Sequence, residues 1–155
     1  MTGFYGQHTV LMDNKGRIAL PSKLRPAPTA DSETIEGFML TKGLDGCLTL
    51  YPDKQWEIIQ NRLDTLDFTR RDFRYFGRRL YSVAVPVNLD RQGRMLIPAH
   101  LQKEAGLSRE ILVIGANRWI ELWDPERYQE YLDGYGQSYE EVAEKLFDVN
   151  RPQKE

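Results

Sequence analysis

The sequence predicts a mixed α/β fold of the α+β kind, in which short antiparallel hairpins form a small sheet or barrel and helices pack around it. Three observations predict it. One strand-turn-strand segment occurs twice, short runs are rich in Val, Ile and Leu, and a helical apolar stripe follows each pair of runs. With 155 residues, 41% apolar and 28% charged, the chain suits one ordinary domain or two small ones sharing a core. A wholly disordered chain is excluded by that composition.

The repeat is the most informative feature. Asp13-Asn-Lys-Gly-Arg-Ile-Ala-Leu-Pro21 lies over Asp90-Arg-Gln-Gly-Arg-Met-Leu-Ile-Pro98, 77 residues later, with Asp, Gly, Arg and Pro identical and the apolar positions kept. Leu24 and Leu101 follow in step. Leu48-Thr-Leu-Tyr51 and Trp56 match Ile120-Glu-Leu-Trp123 and Tyr128 at an offset of 72, so the second copy is five residues shorter in between. Two pseudo-symmetric halves are expected, 1–76 and 77–155. A solenoid is excluded, since it takes ~3 or more copies.

Each copy reads as strand, tight turn, strand and short helix. Val10 to Met12 and Val85 to Leu89 are extended apolar runs, and Gly16 and Gly93 supply the positive φ of a sharp reversal. Ile18 and Leu20, or Met95 and Ile97, resume a strand that Pro21 or Pro98 ends. The first helix starts near Ser22 and stops at Pro26 and Pro28, whereas the second runs from Ala99 to Ala105 with Gly106 as its C-terminal cap. A second hairpin follows, Phe38 to Thr41 with Cys47 to Tyr51 in half one, and Ile111 to Gly115 with Trp119 to Trp123 in half two. Cys47 thus falls on a strand, as core or near-core packing.

Helices close each half. One begins near Pro52 and Asp53, with Trp56, Ile59, Leu63 and Leu66 on a core face; the other opens with Asp124 as cap and Pro125 in the first turn, then Tyr128, Tyr131, Leu132 and Tyr135. Between them a helix from Thr69 to about Tyr81 carries Arg71, Arg74 and Arg78 on one face. Ser138-Tyr-Glu-Glu141 is a capping box whose helix is expected to turn Tyr139, Val142 and Leu146 inward, and 150–155 should fray.

Chemistry-bearing residues are few. There are two histidines, one cysteine, and neither a nucleophile elbow, a phosphate loop nor a zinc-protease helix, so no catalytic, metal or cofactor site is expected. His100 reads as a solvated surface histidine. One cysteine makes no internal disulfide, in keeping with a reducing cytoplasm, and no apolar run approaches the ~18 residues of a membrane span. The segment MTGFYGQHTV shows no secretory signal.

Net charge is −2, but its distribution is polarised. Asn14 to Arg25 holds four cations (Lys15, Arg17, Lys23, Arg25) and Arg91 to Lys103 three, each without an acid, whereas ten acids face four cations after Trp119. Turn geometry accounts for the repeated Asp and Gly and for the strand-ending Pro, yet gives no backbone reason for Arg17 to match Arg94. At a hairpin tip, a planar five-donor fork can meet a phosphate or the O6/N7 edge of guanine, with the Asp four residues earlier bracing it.

The doubled Asp-x-x-Gly-Arg-x3-Pro, with Thr41-Lys-Gly-Leu-Asp-Gly-Cys47 between, resembles the MraZ family over nearly the whole chain. That family is built from two AbrB-like (SpoVT-type) swapped-hairpin halves in one chain. The resemblance implies a sequence-specific transcriptional regulator, cytoplasmic and nucleoid-associated, acting as a ring-like homo-oligomer. It would bind double-stranded DNA at promoter direct repeats upstream of the division and cell-wall gene cluster. On the same basis Asp13, Arg17, Asp90 and Arg94 take the DNA-binding positions, with Lys15 and Arg91 as neighbouring turn cations. Gln92 stands where copy one has Lys15, so the two turns need not contact DNA equally. A competing class is an oligomeric structural or interaction protein without DNA binding, in which the Arg-rich and acidic helices pair between subunits and the turns are only corners. Salt separates the two, because DNA affinity falls steeply with it.

Overall fold

The computed structural model describes residues 3–25 and 37–148. Among these residues eight strands and five α-helices follow in the order β1 (Gln7–Leu11), β2 (Arg17–Ala19), β3 (Phe38–Lys42), β4 (Leu48–Pro52), α1 (Asp53–Asp64), α2 (Arg71–Tyr81), β5 (Val85–Val87), β6 (Arg94–Leu96), α3 (Ala99–Glu104), β7 (Glu110–Gly115), β8 (Ile120–Trp123), α4 (Pro125–Asp133) and α5 (Tyr139–Phe147). The short helix expected near Ser22 is a single 3-10 turn, Ser22–Leu24. Pro26 and Pro28, expected to stop it, and the fraying end 150–155 lie outside the described residues.

Six strands form one sheet in the order β1-β7-β8-β4-β3-β5, and β2 pairs with β6 in a separate ribbon. Every pairing is antiparallel. The sheet is open, with β1 and β5 at its edges, so of the sheet-or-barrel alternatives the protein takes the sheet. Exchanging the halves turns β1 into β5, β2 into β6, β3 into β7 and β4 into β8, and the strand order then reads the same from either end. Register obeys the same exchange: Val10 faces Ile111 in one half, and Val87 faces Phe38 in the other. Each half therefore hands its first strand to the other half's hairpin, and β2 and β6 meet across the same pseudo-twofold.

The main core lies between ribbon and sheet. Ile18, Leu20 and Leu24 from one copy and Met95, Ile97 and Leu101 from the other are buried against Phe38, Leu40, Leu48, Leu50, Ile111, Val113, Ile120 and Leu122. On the opposite face, helices cover two smaller clusters. Trp56 meets Tyr51 and Tyr81, each at a centroid distance of 5.7 Å, and Trp123 meets Tyr128 at 5.0 Å. The Tyr51–Trp56 and Trp123–Tyr128 pairs occupy repeat-equivalent places. Asp124 accepts from Arg127 N at 3.0 Å and Ser138 from Glu141 N at 3.1 Å, so both expected N-terminal caps form.

Three packing expectations change. Leu66, Leu132 and Tyr135 are 46%, 46% and 50% exposed: Leu66 and Tyr135 lie beyond the ends of α1 and α4, and Leu132 is the penultimate residue of α4. Tyr139 and Leu146 do not turn inward: they are 86% and 75% exposed, and no residue of α5 is buried. Val142, the third residue expected inward, is half-buried, and the helix is held by its own Ser138 cap and acid-rich first turn. Cys47 precedes β4 rather than lying on it, and is buried as expected.

Leu50→Ala, at a fully buried site where β4 meets β8, is expected to cost about 2–5 kcal/mol, read from the urea unfolding midpoint.

Candidate nucleic-acid interface

Each Asp-x-x-Gly-Arg segment folds into the same corner. Asp13 Oδ1 accepts from the backbone N–H groups of Lys15 and Arg17, both at 2.9 Å, and Oδ2 accepts from Arg17 Nε at 3.0 Å. Asp90 repeats the pattern with Gln92 N, Arg94 N and Arg94 Nε, all at 2.9 Å. Gly16 and Gly93 donate to the carbonyls of Asp13 and Asp90 at 3.1 and 2.9 Å, with φ of +82° and +75°. A side chain at either position would be strained by that backbone, and it would displace the side chain packed over the turn. A β-carbon on Gly16 would stand 2.7 Å from Gln102 Nε2, and one on Gly93 would collide with the Arg25 guanidinium.

The aspartate orients its arginine by holding Nε. Among the described residues no acceptor meets the Nη atoms of Arg17 or Arg94, so two parallel N–H donors on each remain available. Both side chains stay about one-third accessible, at 33% and 36%.

The β2–β6 ladder then brings the corners together. Arg17 pairs with Leu96, Ile18 with Met95 and Ala19 with Arg94. Directly opposed residues share a face, so buried Ile18 and Met95 point to the core while Arg17, Ala19, Arg94 and Leu96 share the outer face. Arg17 and Arg94 are diagonal neighbours on it, with Cα atoms ~7–8 Å apart in ordinary ladder geometry. Lys15 and Arg91 are exposed in the two turns, but at non-equivalent positions: the repeat sets Lys15 over Gln92 and Asn14 over Arg91.

Two residues behind the corners escape a reading by identity. Arg25 Nε donates to Leu20 O, and Gln102 Nε2 donates to Ile97 O, both at 2.7 Å. They stand 77 residues apart, the offset of the turns themselves, and make the same bond with different side chains. The repeat offset was the signal; matching residue names along it passes over an Arg aligned with a Gln.

Other chemistry-bearing groups serve the fold. Arg74 Nη1 donates to Phe68 O at 3.2 Å and Thr69 O at 2.7 Å, while Glu104 joins Lys42 Nζ at 2.9 Å and Arg79 Nη2 at 2.8 Å. The hydrogen bond from Lys42 leads in holding the Glu104 carboxyl below its ordinary range. Burial pushes the Cys47 thiol up to about 12, which removes it as a nucleophile at neutral pH. His100 is exposed, with Nε2 3.1 Å from Val83 O. Among the described residues no His/Cys/Asp/Glu group could hold a metal ion, and no helix is long and apolar enough to cross a membrane.

Asp13 and Asp90 both titrate below the ordinary aspartate value, chiefly because the Arg17 and Arg94 backbone N–H groups favour the ionised form. A depressed folded-state pKa gives a contribution complete above the unfolded value and lost as pH falls through the folded one. The corners are therefore expected to stay intact through the mildly acidic range. Carboxyl NMR titration should place both groups acid-shifted, with the Arg17 and Arg94 amide signals moving in step.

The MraZ family model, described as "MraZ protein, putative antitoxin-like", matches residues 4–79 and again residues 80–150. The transcriptional regulator MraZ of Heliobacterium modesticaldum is 43% identical over 147 residues, covering 95% of this chain and 99% of the relative. That of Pelotomaculum thermopropionicum is 41% identical over 151 residues, covering 95% and 97%. For Syntrophomonas wolfei the figures are 40% over 146 residues, with 94% and 98% covered. Two family matches in tandem and such end-to-end relatives leave one assignment: the chain belongs to the MraZ family.

Proposed function

We infer that this chain is a DNA-binding transcriptional regulator that reads promoter direct repeats with the outer face of the β2–β6 ribbon. One observation carries the reading: two Asp-braced guanidinium groups sit on one face of a two-stranded ribbon. A major groove admits such a ribbon, and each fork can grip a guanine edge or a phosphate. Ala19 and the 54%-exposed Leu96 lie beside the arginines, where they suit a thymine methyl. Lys15 and Arg91 add phosphate contacts at the turns. The regulators named among the relatives support the assignment. In this reading halves 1–76 and 77–155 act as one unit in the cytoplasm, on the nucleoid, at the division and cell-wall gene cluster.

Magnitudes then require several protomers. Two bidentate arginines at ~1–3 kcal/mol each supply about 2–6 kcal/mol of base discrimination, short of the ~12 kcal/mol of nanomolar binding. A ring-like homo-oligomer makes later contacts intramolecular and raises avidity ~10²–10⁴-fold, and repeated corners call for a repeated site. Exposed Tyr139, Leu146 and Phe147 on α5 support self-association, since they form an apolar face that no other described residue buries. The same face also favours the scaffold reading, in which the corners touch no DNA.

Arg17→Ala or Arg94→Ala should abolish specific retardation of a promoter fragment bearing intact direct repeats, with circular dichroism unchanged. A folded variant that shifts the fragment as the parent does would refute the reading. Replacing Leu146 and Phe147 by Glu should reduce the native mass to that of the protomer and weaken DNA binding ~10²–10⁴-fold. DNA binding that is absent, or indifferent to salt, would leave the scaffold reading.

A further inference from the structure

We propose that Arg25 is a third DNA-contacting guanidinium, a phosphate contact that makes the Asp90–Arg94 corner the electrostatically stronger of the two. The inference rests on the DNA-reading function above and assigns a residue to that site. Arg25 follows the first copy of the motif in sequence, yet strand exchange carries it to the second corner. Its Nε is fixed by Leu20 O at 2.7 Å, and Leu20 N in turn donates to Gly93 O at 2.9 Å. The guanidinium packs directly on Gly93, with Nη1 on the Gly93 side, so the absence of a β-carbon is what admits it. It thus stands one residue from Arg94 and two from Arg91.

The first corner has no such cation. Gln102 holds the equivalent place over Gly16, donating to Ile97 O at 2.7 Å while Ile97 N donates to Gly16 O at 2.8 Å. The two braces are structurally interchangeable and electrically different. A role confined to bracing needs only a side-chain N–H over the turn, which Gln supplies. Among the described residues Arg25 makes no ion pair: Asp90 Oδ2 is taken by Arg94, and the segment from Arg91 to Lys103 contains no acid. A polyanion lying along the ribbon provides one.

The structure supplies its own control, because Arg25→Gln copies the brace that Gln102 already makes. The variant should keep its melting temperature but bind DNA more weakly, to a similar degree on specific and unrelated duplexes. Its plot of log affinity against log salt should be shallower by about 0.9 per protomer in contact, so a fourfold rise in salt weakens it about 3.5-fold less than the parent. Gln102→Arg should steepen the plot by the same amount, and Arg25→Lys should keep the parent slope. If Arg25→Gln does not fold, the Gln102→Arg and Arg25→Lys slopes decide. A folded Arg25→Gln protein with the parent slope, or one that loses discrimination between sequences in place of slope, overturns the proposal. Should the parent itself show no salt-dependent DNA binding, the proposed function fails first, and the two failures are distinguishable.

Discussion

Two backbone hydrogen bonds, Leu20 N to Gly93 O at 2.9 Å and Ile97 N to Gly16 O at 2.8 Å, are the constraint on which the rest of the molecule depends. Each ties the strand exit of one half to the turn of the other. Neither half can complete its ribbon alone, so the spacing of the two corners is a property of the whole chain. The bonds also fix why glycine stands at both turns. Both turns hold a positive φ that glycine adopts without strain, and the bare Cα leaves room for Gln102 over Gly16 and Arg25 over Gly93.

The Asp–Arg pairs contribute little to stability in this light, because both partners are solvated and such surface pairs are weak. Their consequence is orientational. A free arginine samples many rotamers and loses that freedom on binding, whereas a fork held through Nε has given up part of it in advance. Stability comes instead from the apolar layer behind the ribbon, where Ile18 and Met95 pack on the sheet face opposite the two helical clusters. Stability and the proposed recognition thus use opposite faces of the same three-residue strands.

Much of this was legible in the chain. Turns declare themselves through local chemistry, so the Asp, Gly and Arg of both corners, the second hairpins and the caps at Asp124 and Ser138 could all be located. Strand partners could not be read in the same way, because alternation states which face a residue takes but not which strand lies opposite. β1 pairing with β7, and β5 with β3, is tertiary information. The α5 stripe misled for a related reason: periodicity reports an apolar face without reporting what covers it, and among the described residues Tyr139 and Leu146 stay exposed. Arg25 escaped because its contacts lie across the exchanged ribbon, at a turn 68 residues away in sequence.

Fusion of the two halves in one polypeptide has a consequence for direction. A perfectly twofold reader, as two identical chains would make, sits equally well either way round along a helical axis. Here Lys15 faces Gln92 across the dyad, and Arg25 faces Gln102, so turning the molecule end for end exchanges unlike neighbours. The fused chain therefore has a head and a tail, and under the proposed function copies of it can line up in one sense along a duplex where a symmetric pair could not.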